Sequence, residues 1–357
     1  MKLALITDQH FGARNDSLLF SDYFEKFYTE IWFPYILKNN ITNVVDLGDT
    51  FDRRKYVNLN ILKKTKQMWF DKLRKYNINL HTLVGNHTTY FKNTSEVNTL
   101  NLILDSYDNV TVYDRPTVVV FDGVPIQFIP WINSGNYDES MEALKTSSAQ
   151  ILMGHLEITG FEMYKGFSSI DGDFKKELFS RFDTVFSGHF HHKSDDGQIF
   201  YLGTPYEITW NDWNDPRGFH IFDTETRELE RIVNPYTIFK KIYYDDITND
   251  YSQTSTAYDF EQYKDKYVKL IVVNKKDLYQ FDMFVDKLFK ADAFDVKIIE
   301  DFSDLDASNV SDDIVENTED TITLLDRYID ELPLMLDKGR LKNTMKTLYN
   351  EAQDLDF

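Results

Sequence analysis

The sequence of 357 residues contains no cysteine. Disulfides, thiolate metal sites, iron–sulfur clusters and cysteine nucleophiles are therefore excluded, and any metal must be held by oxygen and imidazole nitrogen. No apolar run approaches the ~18 residues that a membrane helix needs, so we expect a soluble, cytoplasmic protein without a membrane partner. The hydrophobic fraction of 42% with 15% aromatics excludes wholesale disorder. The length suffices for a full core and a second domain.

Positive charge is scarce, since 39 Lys and Arg face 59 Asp and Glu and the net charge is −20. The distribution of charge matters more than this sum. Residues 301–357 hold 15 acidic and five basic side chains, whereas residues 53–75 hold nine basic side chains and one acid. This basic strip is either a solvated helix face or a contact surface for a phosphate backbone. Its candidate DNA contacts are Arg53, Arg54, Lys63, Lys64 and Lys66.

The first 220 residues alternate short apolar runs with small polar clusters. Runs such as LALIT at 3–7, NVVDL at 43–47 and LHTLV at 80–84 predict buried strands. Amphipathic stretches at 21–38 and 59–76 predict helices, so the pattern favours a layered α/β domain. Later runs follow one another closely, which indicates antiparallel pairing around Asp122 and Gly123.

The composition changes near Asn234 and Pro235, which divides the chain into predicted parts. Residues 1–235 form the main domain, and a strand–helix–strand pattern over 236–300 predicts a small second α/β domain. The acidic composition of residues 301–320 predicts a linker. The spacing of apolar residues over 321–357 predicts two helices, each with one apolar stripe.

Polar clusters follow five of the apolar runs, and six of the eight histidines lie in or beside them. Ligands bind at the carboxyl ends of strands in open α/β sheets, so these clusters can converge on one edge. Two carboxylates, an asparagine and four imidazoles are too many ligands for one ion and about right for two. Two metals that share a bridging carboxylate suit phosphoester hydrolysis. The clusters are Asp8-Gln9-His10, Gly48-Asp49, Gly85-Asn86-His87, Gly154-His155 and Gly188-His189-Phe190-His191.

The motifs DxH, GD, GNH, GH and GHxH, in that order, resemble the signature of the calcineurin-like metallophosphoesterases. GDTFDRR at 48–54 and GTPY…RGF at 203–219 are most similar to the SbcD/Mre-type DNA repair nucleases, and among these to the bacteriophage recombination endonuclease subunits. The resemblance implies a layered α/β/β/α sandwich (1–235), a small α/β capping domain that binds DNA (236–300), and a C-terminal helical pair (321–357) that binds an SMC-type, SbcC-like ATPase.

The resemblance also implies roles for the cluster residues. One ion would be held by Asp8, His10 and His191, the second by Asn86, His155 and His189, and Asp49 would bridge them. His87 matches the catalytic histidine, which protonates the leaving oxygen or stabilises the transition state. The implied cofactors are two Mn²⁺, with Mg²⁺ as the alternative.

Two positions depart from the family pattern, and the departures leave two questions. Asp52 stands where the family often has His, which leaves open how a substrate strand is steered. Thr88 stands where it often has Asp, which leaves open how His87 is oriented. We expect His81 and His220 to be structural, and His192 matches no family role.

The resemblance implies a Mn²⁺-dependent DNA exo/endonuclease, the nuclease subunit of an SMC-type ATPase complex in double-strand-break processing, recombination and replication. Such subunits are typically homodimers within a heterotetramer, and a phage-encoded one would act in the cytoplasm of its bacterial host. One alternative is a calcineurin-like phosphoesterase acting on phosphoproteins or cyclic nucleotides. The basic strip, the extra domain and the tail argue against it, because a small substrate requires none of them. Another alternative is a non-catalytic scaffold whose site has decayed. Decay would first delete metal ligands, and none of the predicted ligands is missing.

Overall fold

A computed structural model describes residues 1–169, 172–249, 251 and 259–300, together with Ile329, Lys338 and Leu341. Apart from those three positions, the predicted linker at 301–320 and the predicted helical pair at 321–357 lie outside the described residues. Residues Met1–Ile298 form one compact unit.

The strands are numbered in chain order. They are β1 (Lys2–Ile6), β2 (Asn43–Asp46), β3 (Asn79–Leu83), β4 (Val110–Tyr113), β5 (Thr117–Phe121), β6 (Val124–Ile129), β7 (Ile151–His155), β8 (Glu162–Tyr164), β9 (Phe167–Ser168), β10 (Thr184–Gly188), β11 (Ser194–Asp195), β12 (Ile199–Tyr201), β13 (Gly218–Asp223), β14 (Leu229–Val233), β15 (Phe239–Asp245), β16 (Tyr267–Asn274) and β17 (Asp295–Ile299).

The helices are numbered in the same way, and the first two each contain one π-helical turn. They are α1 (Leu18–Phe27, the π turn Tyr28–Trp32 and Phe33–Lys38), α2 (Leu59–Thr65, the π turn Lys66–Phe70 and Asp71–Lys75), α3 (Thr99–Leu104), α4 (Tyr137–Thr146) and α5 (Leu278–Lys290). Short 3₁₀ turns lie at Asn86–Thr88, Lys176–Phe179, Trp210–Asp212 and Glu261–Tyr263.

Two six-stranded sheets form the centre of the unit Met1–Ile298. The first has the order β14-β13-β1-β2-β3-β4, with β1 to β4 parallel, and the second has the order β11-β12-β10-β7-β6-β5. In the second sheet β6, β7, β10 and β12 are parallel, while β5 and β6 pair antiparallel as predicted around Asp122 and Gly123. The chain therefore returns repeatedly to the same edge of each sheet.

The alternation of side chains along the strands builds three layers of core. Leu3 and Leu5 of β1 lie in the apolar cluster that joins the two sheets, whereas Ala4 and Ile6 pack with the aromatic side chains of α1 and α2. A third cluster covers the other face of the second sheet and includes Leu144 of α4. The arrangement is an α/β/β/α sandwich, which confirms the predicted fold class.

A three-stranded sheet of order β15-β16-β17 follows the sandwich. The predicted strand, helix and strand are present as β16, α5 and β17, and β15 adds a strand parallel to β16. One face of this sheet packs on α5 around Phe281, Phe284 and Leu288. The unit has a core of its own, but the boundary at residue 235 stays a prediction. In the described ranges no helix is both long and apolar enough to cross a membrane.

Candidate metal centre

The five polar clusters lie together at the carboxyl ends of strands from both sheets. The cluster residues after β1, β2 and β3 meet those at the ends of β7 and β10, because β1–β3 are parallel in one sheet and β7 and β10 are parallel in the other. Glycines make the close approach feasible. A Cβ atom at Gly188 would collide with Thr7 Oγ1, and one at Gly85 would collide with Asp49 Oδ1.

One group of donors consists of Asp8, His10 and His191, whose ligand atoms lie within 4.8 Å of one another. The Nε2 atoms of His10 and His191 are 3.1 Å apart, and His10 Nε2 is 4.0 Å from Asp8 Oδ1. Asp8 is anchored by Thr7 Oγ1, which donates to its Oδ2 at 2.7 Å, and by the backbone N–H of His189.

A second group consists of Asp49, His155 and His189, again within 4.8 Å, with Asn86 among them. His155 Nε2 lies 3.1 Å from Asp49 Oδ2 and 2.9 Å from Asn86 Oδ1, and His189 Nδ1 lies 3.1 Å from the same Asn86 oxygen. The other ring nitrogen of His155 faces the carbonyl of Leu47 at 2.8 Å. That contact fixes the ring with Nε2 directed at the donors.

The electrostatics of the cluster show that it attracts positive charge. Burial opposes protonation of His155, but the nearby Asp49 carboxylate outweighs it and raises the pKa of His155 to about 9. Burial likewise opposes protonation of His10, but Asp52 outweighs it and raises the pKa of His10 to about 9. Burial would raise the pKa of Asp49, but His155 and His87 hold that pKa well below its ordinary value. Carboxylates that hold protons on these buried rings favour a divalent cation in place of the protons.

The backbone at the cluster is held in an uncommon conformation. Asp8, His10, Asp49 and His189 have positive φ angles of 52°, 45°, 53° and 84°. Left-handed conformations at residues other than glycine are costly and concentrate at functional sites. Here each of them turns a strand end so that its side chain enters the cluster.

Comparisons with known proteins agree with this geometry. Residues 1–193 match the family model of the calcineurin-like phosphoesterases. The chain belongs to this family. It is also 36% identical over 324 residues to exonuclease subunit 1 of Enterobacteria phage T4, an alignment that covers 89% of this chain and 90% of the phage protein.

Solved structures give only a weak likeness. An archaeal phosphodiesterase is 16% identical with a TM-score of 0.33, and covers 66% of this chain and 100% of its own. A protein of unknown function from Aquifex aeolicus is 16% identical with a TM-score of 0.25, and covers 43% of this chain and 77% of its own.

As a calcineurin-like phosphoesterase, the protein is a metal-dependent enzyme that hydrolyses phosphoesters. Its donor set fits divalent cations, because carboxylate, amide and imidazole donors converge in two groups at a buried edge. The assignment of each donor to one ion stays the prediction made from the sequence.

His87 lies beside both groups of donors. Its backbone N–H donates to Asp49 Oδ1 at 2.8 Å, and its Nδ1 lies 2.6 Å from the carbonyl oxygen of Asp52. Because a carbonyl only accepts, Nδ1 carries the proton and Nε2 is left to act on a substrate. Thr88 has no part in this, since its hydroxyl bonds to the backbone of Gly85. His87 is therefore oriented without the aspartate that the family often has at residue 88.

Sequence reasoning missed the roles of two carboxylates at the site. Asp52 Oδ1 lies 3.1 Å from His10 Nδ1, and Glu157 Oε2 lies 3.4 Å from His189 Nε2. Asp52 was visible only as a departure from the family pattern. For Glu157 the sequence offered no indication of a role at the site other than its position two residues after His155.

The three histidines left without a site role lie in other surroundings. His192 Nδ1 is 2.7 Å from Asp215 Oδ2, which also pairs with Arg217, and Arg217 donates to the carbonyl of His191. This network supports the backbone at a candidate ligand. His81 Nδ1 faces the Tyr113 hydroxyl at 2.8 Å, and burial lowers the pKa of His220 to about 3.

The predicted DNA contacts are placed unequally. The guanidinium carbon of Arg54 lies 5.2 Å from the centre of the Trp131 ring. Burial lowers the pKa of Arg54, and the charge of Asp49 opposes that change. Arg53 donates to Asn15 Oδ1 at 2.6 Å. Lys63 is exposed on α2, which begins where the Asn58 side chain caps two backbone N–H groups. Lys64 Nζ lies 2.5 Å from Asp22 Oδ1, and Lys66 Nζ lies 5.7 Å from the centre of the Tyr107 ring. A role in DNA binding stays a prediction for all five.

Proposed function

We propose that the protein is a Mn²⁺-dependent DNA exo/endonuclease. The observation that carries the proposal is the pair of donor groups, one of which contains Asp49, in a phosphoesterase that is 36% identical to a phage exonuclease subunit. Mixed oxygen and nitrogen donors suit Mn²⁺, and Mg²⁺ is the alternative.

The ligand residues provide a frame for two-metal phosphodiester hydrolysis. Asp8, His10 and His191 would hold one ion, and Asn86, His155 and His189 the other, with Asp49 between them. Two bound ions supply an activated water and neutralise the charge of the phosphoryl group. The chain's own contribution is to hold the donors in place on strand ends that are buried and fixed by backbone contacts.

His87 would complete the reaction through Nε2: as an imidazolium, protonated on both ring nitrogens, it would donate the Nε2 proton to the leaving oxygen or stabilise the charge of the transition state. Its Nδ1–H is held by the Asp52 carbonyl, so the ring presents Nε2 to the substrate in a fixed orientation. The ring centre lies 4.8 Å from that of His10 and nearly perpendicular to it, which keeps His87 beside the donors.

The proposed partners are DNA and an SMC-type ATPase, in a heterotetramer that contains a homodimer of this chain. The relative is named as a subunit, which supports a multi-chain complex. Residues 236–300 would cap the DNA, and residues 321–357 would bind the ATPase. The complex would serve double-strand-break processing, recombination and replication in the cytoplasm of a bacterial host.

A substrate panel tests the proposal. Linear DNA, plasmid DNA, bis-p-nitrophenyl phosphate, a cyclic nucleotide and a phosphoserine peptide are each incubated with the protein and Mn²⁺. We expect hydrolysis of DNA and of the small diester, without turnover of the phosphopeptide. Rapid hydrolysis of the peptide or the cyclic nucleotide with intact DNA would establish a different phosphoesterase. Failure on every substrate would favour a scaffold.

A further inference from the structure

Two of the ligand histidines have a carboxylate at the ring nitrogen that faces away from the donors. His10 directs Nε2 at His191 and Nδ1 at Asp52 Oδ1, which is 3.1 Å away. His189 directs Nδ1 at Asn86 and Nε2 at Glu157 Oε2, which is 3.4 Å away. The two rings therefore use opposite nitrogens for the site, and each unused nitrogen has an acidic partner.

We propose that Asp52 and Glu157 are positioning residues, one for each of the two metal sites. Asp52 fixes His10 in the first site and Glu157 fixes His189 in the second. The inference rests on the proposed two-metal function, because it assigns a separate support to each ion. Neither carboxylate is proposed to touch the substrate.

The physical reason lies in the tautomers of imidazole. A neutral ring carries one proton, and only the other nitrogen has a lone pair for a metal. A carboxylate accepts and does not donate, so it holds the proton on the nitrogen that it contacts. For His10 this leaves the lone pair on Nε2, and for His189 it leaves the lone pair on Nδ1. Supports of this kind typically change metal affinity 10–100-fold.

His155 shows that a ligand histidine does not always need a carboxylate. Its outward nitrogen faces the backbone carbonyl of Leu47 at 2.8 Å, so the main chain already fixes its tautomer. His10 and His189 lie on irregular backbone with positive φ angles, after their strands have ended. Their fixation comes from the side chains of Asp52 and Glu157.

The geometry of Asp52 allows the positioning of His10 to be distinguished from the support of His87 and from direct binding of a metal ion. His87 is held by the backbone carbonyl of Asp52, so a change of the Asp52 side chain leaves that contact in place. Asp52, His10 and His87 also form a group of atoms within 4.8 Å, which would suit a metal bound directly by Asp52. A direct carboxylate ligand binds a divalent cation more strongly than a neutral amide in its place would, whereas a positioning residue needs only an acceptor. Asparagine in place of Asp52 distinguishes the two.

The experiment measures Mn²⁺ binding by calorimetry and by electron paramagnetic resonance, without reference to activity. The variants are Asp52→Ala, Asp52→Asn, Glu157→Ala and Glu157→Gln. His10→Ala and His189→Ala serve as references, each of which we expect to remove one site. Glu162→Ala is the matched control, because Glu162 Oε2 lies 3.3 Å from the ring of His192, which is not a predicted ligand.

We expect Asp52→Ala to weaken one of two Mn²⁺ sites roughly 10–100-fold and to leave the other unchanged. Glu157→Ala should weaken the second site by less, because its contact is longer. The amide variants should bind within about threefold of wild type, since an amide oxygen still accepts the imidazole proton. The Glu162→Ala protein should bind both ions normally.

Three results would overturn the inference. Wild-type affinity at both sites in the alanine variants would remove any positioning role while leaving the proposed function intact. Equal loss in Asp52→Asn and Asp52→Ala would show that the charge of Asp52 is required, which contradicts a role as an acceptor alone and favours direct binding of the ion. Wild-type protein that binds no Mn²⁺ would contradict the proposed function, and this inference with it.

Discussion

His87 is the residue at which metal binding and chemistry should separate. It contacts Asp49 through its backbone N–H, its ring Nδ1 faces the Asp52 carbonyl, and it is not among the ligands predicted from the sequence. We expect His87→Ala to keep full Mn²⁺ content and to lower the rate of DNA hydrolysis by roughly 10²–10⁴. Metal analysis and single-turnover kinetics on the same preparation measure both quantities.

His81→Ala is the control for that variant, because its ring contacts Tyr113 and lies outside the cluster. The control should hydrolyse DNA at the wild-type rate. Loss of bound metal in His87→Ala would mean that His87 is a ligand and that its role as acid or stabiliser is wrong.

At the scale of elements, the start of β15 is tied to the sandwich by Glu207. Its Oε2 accepts the backbone N–H groups of Ile238 and Phe239 at 2.7 and 3.0 Å. Burial raises the pKa of Glu207 from its ordinary 4.5 to about 7, although the two backbone N–H groups oppose the rise; Asp212 adds to it and Arg217 opposes it. The carboxyl group therefore binds a proton more tightly in the folded protein than in the unfolded chain.

The sign of the pH dependence follows from this raised pKa. The stabilising effect of the proton is fully present below pH ~4.5 and is lost as the pH rises through ~7, a change of up to about 3 kcal/mol. Glu207→Gln keeps an oxygen that can accept both N–H groups and cannot ionise. We expect a flatter dependence of Tm on pH between 5 and 8 and a higher Tm at pH 8.

Thermal denaturation of both proteins across that pH range is the measurement. Phe239→Tyr, at the same junction but without a carboxylate, is the control and should keep the wild-type slope. An identical slope for wild type and Glu207→Gln would show that Glu207 does not titrate in this range.

Helix α2 carries the prediction on DNA contacts. Replacing Lys63, Lys64 and Lys66 by glutamine removes up to three phosphate contacts, each of which contributes about 0.9 to the slope of log affinity against log salt. We expect weaker DNA binding and a shallower slope, with unchanged turnover of bis-p-nitrophenyl phosphate. Fluorescence anisotropy across a salt series measures the slope.

The control for this variant is Lys2→Gln, at the amino end of β1 and opposite to the edge that carries the donors. It should leave both affinity and slope unchanged. Wild-type affinity in the triple variant would mean that the strip is a solvated helix face. The contacts of Lys64 with Asp22 and of Lys66 with the Tyr107 ring are compatible with that result.

At the scale of the whole molecule, deletion of residues 321–357 should separate nuclease activity from complex formation. The predicted apolar stripes would bind the ATPase, while the donors all lie in Met1–Ile298. We expect the truncated chain to keep Mn²⁺-dependent nuclease activity and to lose co-purification with an SMC-type ATPase. Wild-type yield of the complex would contradict the role of this segment.

Much of the fold was predictable because its signals are local. The runs that became β1, β2 and β3 are apolar and end in glycine, aspartate, asparagine or histidine, so both strands and site could be recognised. β15 was not predicted, because its alternation of lysine and aromatic residues is weak without knowledge of β16 beside it. Asp52 and Glu157 were missed for a related reason, since the orientation of a side chain toward a ring nitrogen is set by tertiary contacts.

The most direct test of the proposed two-metal nuclease is Mn²⁺-dependent hydrolysis of linear DNA by wild-type and Asp49→Ala protein, both stripped of metal and then titrated with Mn²⁺. Asp49 touches His155 and His87 and would join the two ions. We expect no hydrolysis by wild type before Mn²⁺ is added, saturable hydrolysis afterwards, and none by a folded Asp49→Ala protein at any Mn²⁺ concentration. Full activity in Asp49→Ala, or metal-independent activity in wild type, would contradict the two-metal proposal.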